Sequence, residues 1–150
     1  QVARTRSAVS VLKSSGAEIL IHCGDITTPE VVYECSPLPS YFVFGNCDYD
    51  RGRLLEAMNT IGGISLGSGD VIALGGKRIA VTHGDSQREL NRLELMNPEF
   101  LLSGHTHRMV DDTFGVIRRI NPGALHRAPF WSVAVLDLAL GSLSVLRVDA

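Results

Sequence analysis

The sequence contains few cysteines, no long apolar run and no cluster of basic residues. Only three cysteines occur in 150 residues. They are Cys23, Cys35 and Cys47, with no CxxC pair among them. This excludes a disulfide framework and a thiolate zinc site, and we expect a cytoplasmic protein with reduced thiols. No apolar run approaches the roughly 18 residues that span a bilayer, so no membrane-spanning helix is predicted.

Charge is nearly balanced and evenly spread along the chain. Fourteen Lys and Arg residues against 16 Asp and Glu give a formal net charge of −2. Basic residues occur only in short doublets such as Lys77-Arg78, so no patch is predicted that would attract nucleic acid or an anionic membrane. The length of 150 residues is typical of one domain, and we expect residues 1-150 to form a single domain. Assembly into a homo-oligomer is left open.

Strands and helices alternate in the first half of the chain, and hairpins dominate the second half. Apolar spacing predicts a helix over 2–15, a buried strand in AEILIHCGD, a short helix after Pro29, a strand over 41–48 and a helix near 51–60. Residues 71–81, 109–123 and 131–150 are typical of hairpins, separated by a further helix and a buried strand. The pattern predicts an α/β sandwich of two sheets with helices on its outer faces.

The chain opens on a helix where the geometry of a βαβ unit expects a preceding strand. That strand would lie parallel to residues 18–22, and without it the backbone groups of its neighbours would stay unpaired. We therefore expect the natural chain to begin upstream of Gln1, with the first strand of the fold missing from this sequence.

Four strand-to-loop junctions place glycine next to a side chain that can bind a metal. The loops at the carboxyl ends of strands converge in α/β sheets, so we expect these junctions to meet in space. Their ligands are nitrogen and oxygen atoms, which suit manganese, iron, zinc, nickel or cobalt. The junctions are Gly24-Asp25, Gly45-Asn46-Cys47-Asp48, His83-Gly84-Asp85 and Gly104-His105-Thr106-His107.

Each of these residues also has a simpler interpretation when it is taken alone. Asp25 is typical of a helix cap, Asn46 of a turn, and His83 of a hydrogen-bonded polar residue. His22, inside the strand, is interpreted as a packed or surface histidine. The joint occurrence of the others at successive strand ends favours a metal site. A carboxylate can bridge two ions about 3.5–4 Å apart, which clamp an in-line attack on phosphorus by a bridging hydroxide.

In this order and at these strand ends, the segments GD, GNCD, THGD and GHTH resemble the calcineurin-like metallophosphoesterase superfamily, and most closely its small single-domain prokaryotic phosphodiesterases. The resemblance covers essentially the whole chain, including NPGALHR at 121–127. It implies a four-layer αββα sandwich of two mixed β-sheets flanked by helices. It also implies a hydrolase that cleaves a small phosphoester substrate, a diester in preference to a monoester, with two divalent ions. Manganese is expected first.

The resemblance also implies a ligand set. Asp25 would bridge the two ions, Asn46, His83 and His105 would complete the second site, and His107 would serve the first. The family supplies two more ligands from a D-x-H motif at the end of its opening strand, which we expect immediately before Gln1. With that motif the site is complete; if the natural chain begins at Gln1, activity is doubtful.

Substrate contacts are predicted from two further segments. Asn46 would hold phosphate oxygens, and Cys47 takes the position of a histidine that assists the leaving group in many family members. A neutral thiol can donate a proton, although simple packing is an equal alternative. Asp48 would orient a ligand or a water. In NPGALHR, His126 and Arg127 are candidates for the substrate rim, with a plain turn and a surface arginine as alternatives.

Two other classes of function compete with the enzyme. One is a catalytically impaired scaffold of the same fold that binds partner proteins, as a retromer subunit of the superfamily does. The other is an inactive fragment. The four retained ligands argue against the scaffold, because a partner-binding surface has no need of polar ligands around one crevice. They are Asn46, His83, His105 and His107.

Overall fold

The chain alternates strands and helices up to residue 60 and then runs mainly as hairpins. The computed structural model describes residues 1–149, and within them it contains four helices and ten strands. The helices are α1 (Val2–Ser14), α2 (Pro29–Glu34), α3 (Arg51–Thr60) and α4 (Gln87–Glu94). The strands are β1 (Leu20–His22), β2 (Ser40–Phe42), β3 (Ile64–Ser65), β4 (Gly69–Leu74), β5 (Lys77–Thr82), β6 (Phe100–Leu102), β7 (Met109–Phe114), β8 (Ile117–Pro122), β9 (Ser132–Asp137) and β10 (Ser142–Arg147).

The larger sheet has five strands in the order β4-β5-β6-β8-β7. Its three central strands are parallel to one another, and the two edge strands β4 and β7 pair antiparallel. The other strands form a parallel sheet, β1-β2-β3, and the separate antiparallel hairpin β9-β10. Within residues 1–149 the second predicted sheet is therefore present as these two pieces.

Three apolar clusters separate four layers. One lies between helices α1 to α3 and the parallel sheet, one between the two sheets, and one between the five-stranded sheet and α4. Their buried members include Val9, Val31, Phe42, Leu54 and Met58 in the first, Val43, Ile79, Val81 and Phe100 in the second, and Ala80, Leu93 and Leu101 in the third. The predicted αββα sandwich is confirmed.

Strands that are covered on both faces explain the continuous apolar runs in the sequence. Neighbouring side chains on a strand point to opposite faces. Phe42 and Val43 are both fully buried, but Phe42 belongs to the helix side and Val43 to the space between the sheets. Ile79 and Ala80 divide in the same way between the inner face and α4. Such double burial replaces the alternation seen in half-exposed strands.

Most predicted elements appear where the sequence placed them, and β2 is the main difference. The predicted helices over 2–15 and near 51–60 correspond to α1 and α3. The strand predicted over 41–48 ends at Phe42. Val43 N–H still donates to His22 O of β1 at 3.1 Å, but Phe44 N–H donates to Gly67 O in a loop at 2.9 Å. No helix in the described range is long and apolar enough to cross a membrane.

The packing of α4 against the sheet makes a testable contribution to stability. Leu93 is fully buried in the cluster beneath α4, whereas Leu95 at the end of the same helix is 83% exposed. Leu93→Ala is expected to lower the free energy of unfolding by about 2–5 kcal/mol, because it removes buried methyl groups and leaves a cavity. Leu95→Ala is the matched control and should change it by no more than about 0.5 kcal/mol. Denaturant unfolding measures both, and equal effects would contradict this packing.

Candidate metal centre

Four of the predicted ligands lie in loops that follow strands of both sheets. Asp25 follows β1 and Asn46 follows β2 of the parallel sheet, whereas His83 follows β5 and His105 follows β6 of the larger sheet. The carboxyl ends of all four strands face the same edge of the sandwich, so loops from opposite layers meet there. Backbone bonding links two of these loops directly, since Gly104 N–H donates to His83 O at 2.9 Å.

The polar atoms of these four side chains converge on one point. His83 Nε2 lies 2.9 Å from Asn46 Oδ1 and 3.3 Å from Asp25 Oδ2. His105 Nδ1 lies 3.2 Å from Asn46 Oδ1 and 3.2 Å from His83 Nε2. Within the described chain, His, Cys, Asp and Glu side chains alone form no group of three arranged to hold a metal ion. The cluster therefore depends on the amide oxygen of Asn46.

The protonation of His83 determines what the cluster can bind. Its Nδ1 lies 2.7 Å from the carbonyl oxygen of Cys23, which can only accept, so Nδ1 carries a proton and donates it there. In the neutral ring Nε2 is then a bare acceptor facing the oxygens of Asn46 and Asp25. One proton would form a hydrogen bond between only two of these acceptors, whereas a divalent cation can be coordinated by His83 Nε2 and by the oxygens of Asn46 and Asp25 together. The donor set, with a second histidine nitrogen beside it, fits a metal ion.

Two glycines allow the loops to come this close. A Cβ on Gly24, whose φ is +97°, would lie 2.6 Å from His83 Nδ1. A Cβ on Gly45 would overlap the carboxylate and the backbone nitrogen of Asp25. Both positions therefore require glycine for steric reasons, which explains the residue before each ligand.

Backbone strain is concentrated in the same loops. Asp25, His105 and His107 have φ values of 55°, 64° and 58°, and Arg127 has 48°. Residues with a Cβ pay about 1–2 kcal/mol for this left-handed conformation. Such outliers persist where the surrounding structure fixes them, and they cluster at functional sites.

Asp48 is buried and acts on the backbone of the ligand loops. Its Oδ1 accepts a hydrogen bond from Thr27 N–H, and its Oδ2 accepts one from Gly45 N–H, both at 2.7 Å. It thus ties the loop that carries Asp25 to the loop that carries Asn46. Asp25 adds a second link, because its Oδ1 accepts from Cys47 N–H at 3.0 Å.

The ring of the predicted ligand His107 lies next to that of His126. The two ring centroids are 6.2 Å apart, and no hydrogen bond in the described range joins His107 to the cluster. Burial lowers the pKa of His126, and the charges of Arg127 and His107 lower it further. These groups form a rim beside the cluster, called the basic rim here because Arg127 gives it a fixed positive charge.

Cys47 lies beside Asp25 of the cluster, and the charge of Arg127 in the rim acts on its thiol. The carboxylate of Asp25, more than partial burial, raises the pKa of the Cys47 thiol, and the charge of Arg127 opposes that shift. Cys47 is thus close to both Asp25 and Arg127. Cys23 differs, because burial raises the pKa of its thiol to about 12, and it contributes its carbonyl oxygen to the site instead.

Sequence reasoning missed Asn121. It was interpreted as part of an Asn-Pro-Gly turn, but its buried side chain donates to Gly104 O at 2.8 Å and to Thr106 Oγ1 at 3.1 Å. An asparagine in a turn motif carries no signal of such a contact. His22 stacks on Phe42 with ring centroids 5.9 Å apart and stays outside the cluster.

A groove lies elsewhere on the molecule. It has a volume of about 460 Å³ and sits between α4 and the β7–β8 turn, lined by Asn91, Glu94, Leu95, Phe114, Gly115, Val116 and Ile117. That turn is at the opposite end of β7 from His107. The groove therefore contributes nothing to the metal centre.

The layered α/β fold and the nitrogen and oxygen donors at its strand ends are those expected of a metal-binding α/β protein. A sequence model described as the calcineurin-like phosphoesterase superfamily domain matches residues 1–140. The chain belongs to this family, as its motifs predicted.

Similar proteins come from archaea. A probable metallophosphoesterase of Methanocaldococcus jannaschii is 28% identical over 134 residues, which cover 83% of this chain and 62% of that protein. The chain thus spans less than two thirds of that relative. A phosphodiesterase of the same organism is 26% identical over 122 residues, covering 79% of this chain and 74% of that protein. The solved structure of an archaeal phosphodiesterase shares the fold with a TM-score of 0.89 at 23% identity, covering 98% of this chain and 93% of that one.

The role of Asp48 can be tested by removing one acceptor. Asp48→Asn should lower the free energy of unfolding by about 1–3 kcal/mol, because the new amide NH₂ faces a buried backbone N–H that loses its acceptor. Asp50→Asn makes the same chemical change two residues away. Asp50 caps α3 by accepting from Arg53 N–H, and asparagine caps equally well, so that variant should match the parent. Equal unfolding midpoints for all three proteins would contradict the role of Asp48.

Proposed function

We propose that this chain is a metal-dependent phosphoesterase that hydrolyses phosphodiesters at the loops around Asp25, Asn46, His83 and His105. The observation that carries the proposal is the convergence of acceptor atoms on one point, with His83 held in the tautomer that presents a bare Nε2. Membership of the phosphoesterase family supports the reaction class. The relative named as a phosphodiesterase supports diesters over monoesters.

Two divalent ions are proposed, with ligands divided between them. Asp25, Asn46, His83 and His105 would hold one ion, and Asp25 and His107 would contribute to the other. When bound, the ions would activate a water and offset the charge that develops on the phosphoryl group. Manganese is our first choice. Iron, zinc, nickel and cobalt accept the same donors.

The chain's own residues bind and orient the substrate. In the basic rim, the guanidinium of Arg127 offers positive charge to a phosphate and can donate two parallel hydrogen bonds. His126 would contribute a ring N–H donor. The amide NH₂ of Asn46, a member of the cluster, would donate to a phosphate oxygen. We propose Cys47, which lies beside Asp25, as the group that faces the leaving oxygen, and Asp48 as a residue that positions the loops.

Removal of Asn46 tests the metal centre. Asn46→Ala takes away the oxygen that lies within 3.2 Å of both His83 and His105. In chelator-treated protein titrated with Mn²⁺, it is expected to weaken binding to the cluster strongly. Hydrolysis of bis-nitrophenyl phosphate should fall with it. His105→Ala should act in the same direction.

Asn59→Ala is the matched control, because Asn59 is exposed near the carboxyl end of α3 and lies outside the ligand loops. It should bind Mn²⁺ and turn over substrate like the parent. Activity that resists chelation, or that is unchanged in His105→Ala, would overturn the metal-dependent mechanism. A parent protein that binds no divalent ion would instead favour the scaffold.

Arg127 is predicted to contact the phosphate. Arg127→Ala should reduce kcat/KM about 10- to 100-fold, since a hydrogen bond to a charged group contributes about 1.5–3 kcal/mol. Arg127→Lys should recover part of the loss because it keeps the charge without the paired donors. Arg53→Ala, an exposed arginine on α3, serves as the control. If Arg127→Ala and Arg53→Ala have the same steady-state kinetics, Arg127 does not bind substrate.

A further inference from the structure

Asn121 joins two loops of the proposed site through one buried side chain. It lies at the carboxyl end of β8, beside the point where β6 runs into the loop that carries His105 and His107. Its side chain is 3% exposed. Its Nδ2 donates to Gly104 O at 2.8 Å and to Thr106 Oγ1 at 3.1 Å, and its Oδ1 accepts from Gly123 N–H at 3.0 Å.

These contacts fix the residue between the two histidines. Both His105 and His107 adopt left-handed backbone conformations, and Thr106 between them is held at its hydroxyl by Asn121. Gly104 O accepts from Thr106 N–H at 2.7 Å as well as from Asn121. A loop with two strained residues keeps such a conformation only where other contacts determine it. Asn121 supplies the side-chain part of those contacts.

The Asn121 side chain also fixes the start of the loop that carries His126 and Arg127. Its Oδ1 accepts from Gly123 N–H, and Arg4 of α1 donates to Leu125 O at 2.7 Å further along that loop. An asparagine side chain can donate two hydrogen bonds, to Gly104 O and Thr106 Oγ1, and accept one from Gly123 N–H at the same time. Aspartate has no donor when ionised, and serine is too short to make all three contacts.

We infer that Asn121 is a positioning residue, which sets where the His105 and His107 imidazoles lie and couples their loop to the loop of His126 and Arg127. The inference rests on the proposed function, because it concerns ligands of the proposed metal centre. It adds a residue that touches neither an ion nor a substrate. Asn121 acts through Thr106 and the backbone of Gly104.

The test compares metal binding in matched variants. Asn121→Ala and Asn121→Asp are expected to bind Mn²⁺ about 10- to 100-fold more weakly than the parent in calorimetric titrations, as is typical when a partner behind a metal ligand is removed. Ser40→Ala is the control for simple destabilisation. Ser40 is equally buried and donates to Leu38 O at 2.8 Å in another part of the molecule. It should bind Mn²⁺ like the parent even where its free energy of unfolding falls.

Thr106 provides a second pair of variants if Asn121 cannot be replaced without loss of folding. Thr106→Val keeps the side-chain shape and removes the hydroxyl acceptor, so it should weaken Mn²⁺ binding in the same direction. Thr106→Ser keeps the hydroxyl and should recover parental affinity. Equal affinities for the valine and serine variants would overturn the link through Thr106.

A readout on the metal-free protein separates this inference from the proposed function. Nitrogen-15 spectra of the histidine rings should show shifted His105 and His107 resonances in Asn121→Ala but not in Ser40→Ala. If the parent binds no metal while these shifts appear, the proposed function fails and the positioning role stands. If the parent binds Mn²⁺ and Asn121→Ala binds it equally well with unshifted histidine resonances, the inference is overturned.

Discussion

The hydrogen bond from His83 Nδ1 to the carbonyl oxygen of Cys23 is the interaction on which the site depends. It crosses from the five-stranded sheet to the parallel sheet at 2.7 Å, and it leaves Nε2 without a proton in the neutral ring. The acceptors of Asp25 and Asn46 then face another acceptor. That arrangement is unfavourable for a buried group unless a cation lies among them. The contact needs Gly24 beside it, since any Cβ there would strike the His83 ring.

The two-sheet core makes this close approach stable. Val43 and Val81, each one or two residues before a ligand loop, are fully buried between the sheets. Their packing fixes the distance between the two sheets at the strand ends, and this distance determines how far apart the ligand loops lie. Asp48, which follows the parallel sheet, and Asn121, in the larger sheet, then fix the backbone conformation of the loops by hydrogen bonds. Packing thus sets the distance between the loops, and buried polar side chains set their conformation.

Much of the fold was predictable because it depends on local periodicity. The helices α1 and α3 and the hairpins follow from apolar spacing and from glycine turns, and the convergence of Asp25, Asn46, His83 and His105 follows from the rule that strand ends share an edge. The contacts of Asp48 with Thr27 N–H and of Asn121 with Gly104 O were not predictable, since these backbone groups lie 21 and 17 residues away along the chain. The placement of His107 beside His126 likewise depends on how two distant loops meet.

The free-energy cost of the cluster also helps to distinguish a partner-binding scaffold from a protein that binds a metal ion. Left-handed backbone at Asp25 and His105 costs free energy, and so does the close approach of oxygen and nitrogen acceptors around His83. A protein that served only to bind partners would gain stability from apolar or hydrogen-bond-donating replacements at these positions. No partner contact would require the strained loops to stay as they are. The chain instead retains the destabilising groups together with the two buried side chains that hold them, and a bound cation would offset that cost.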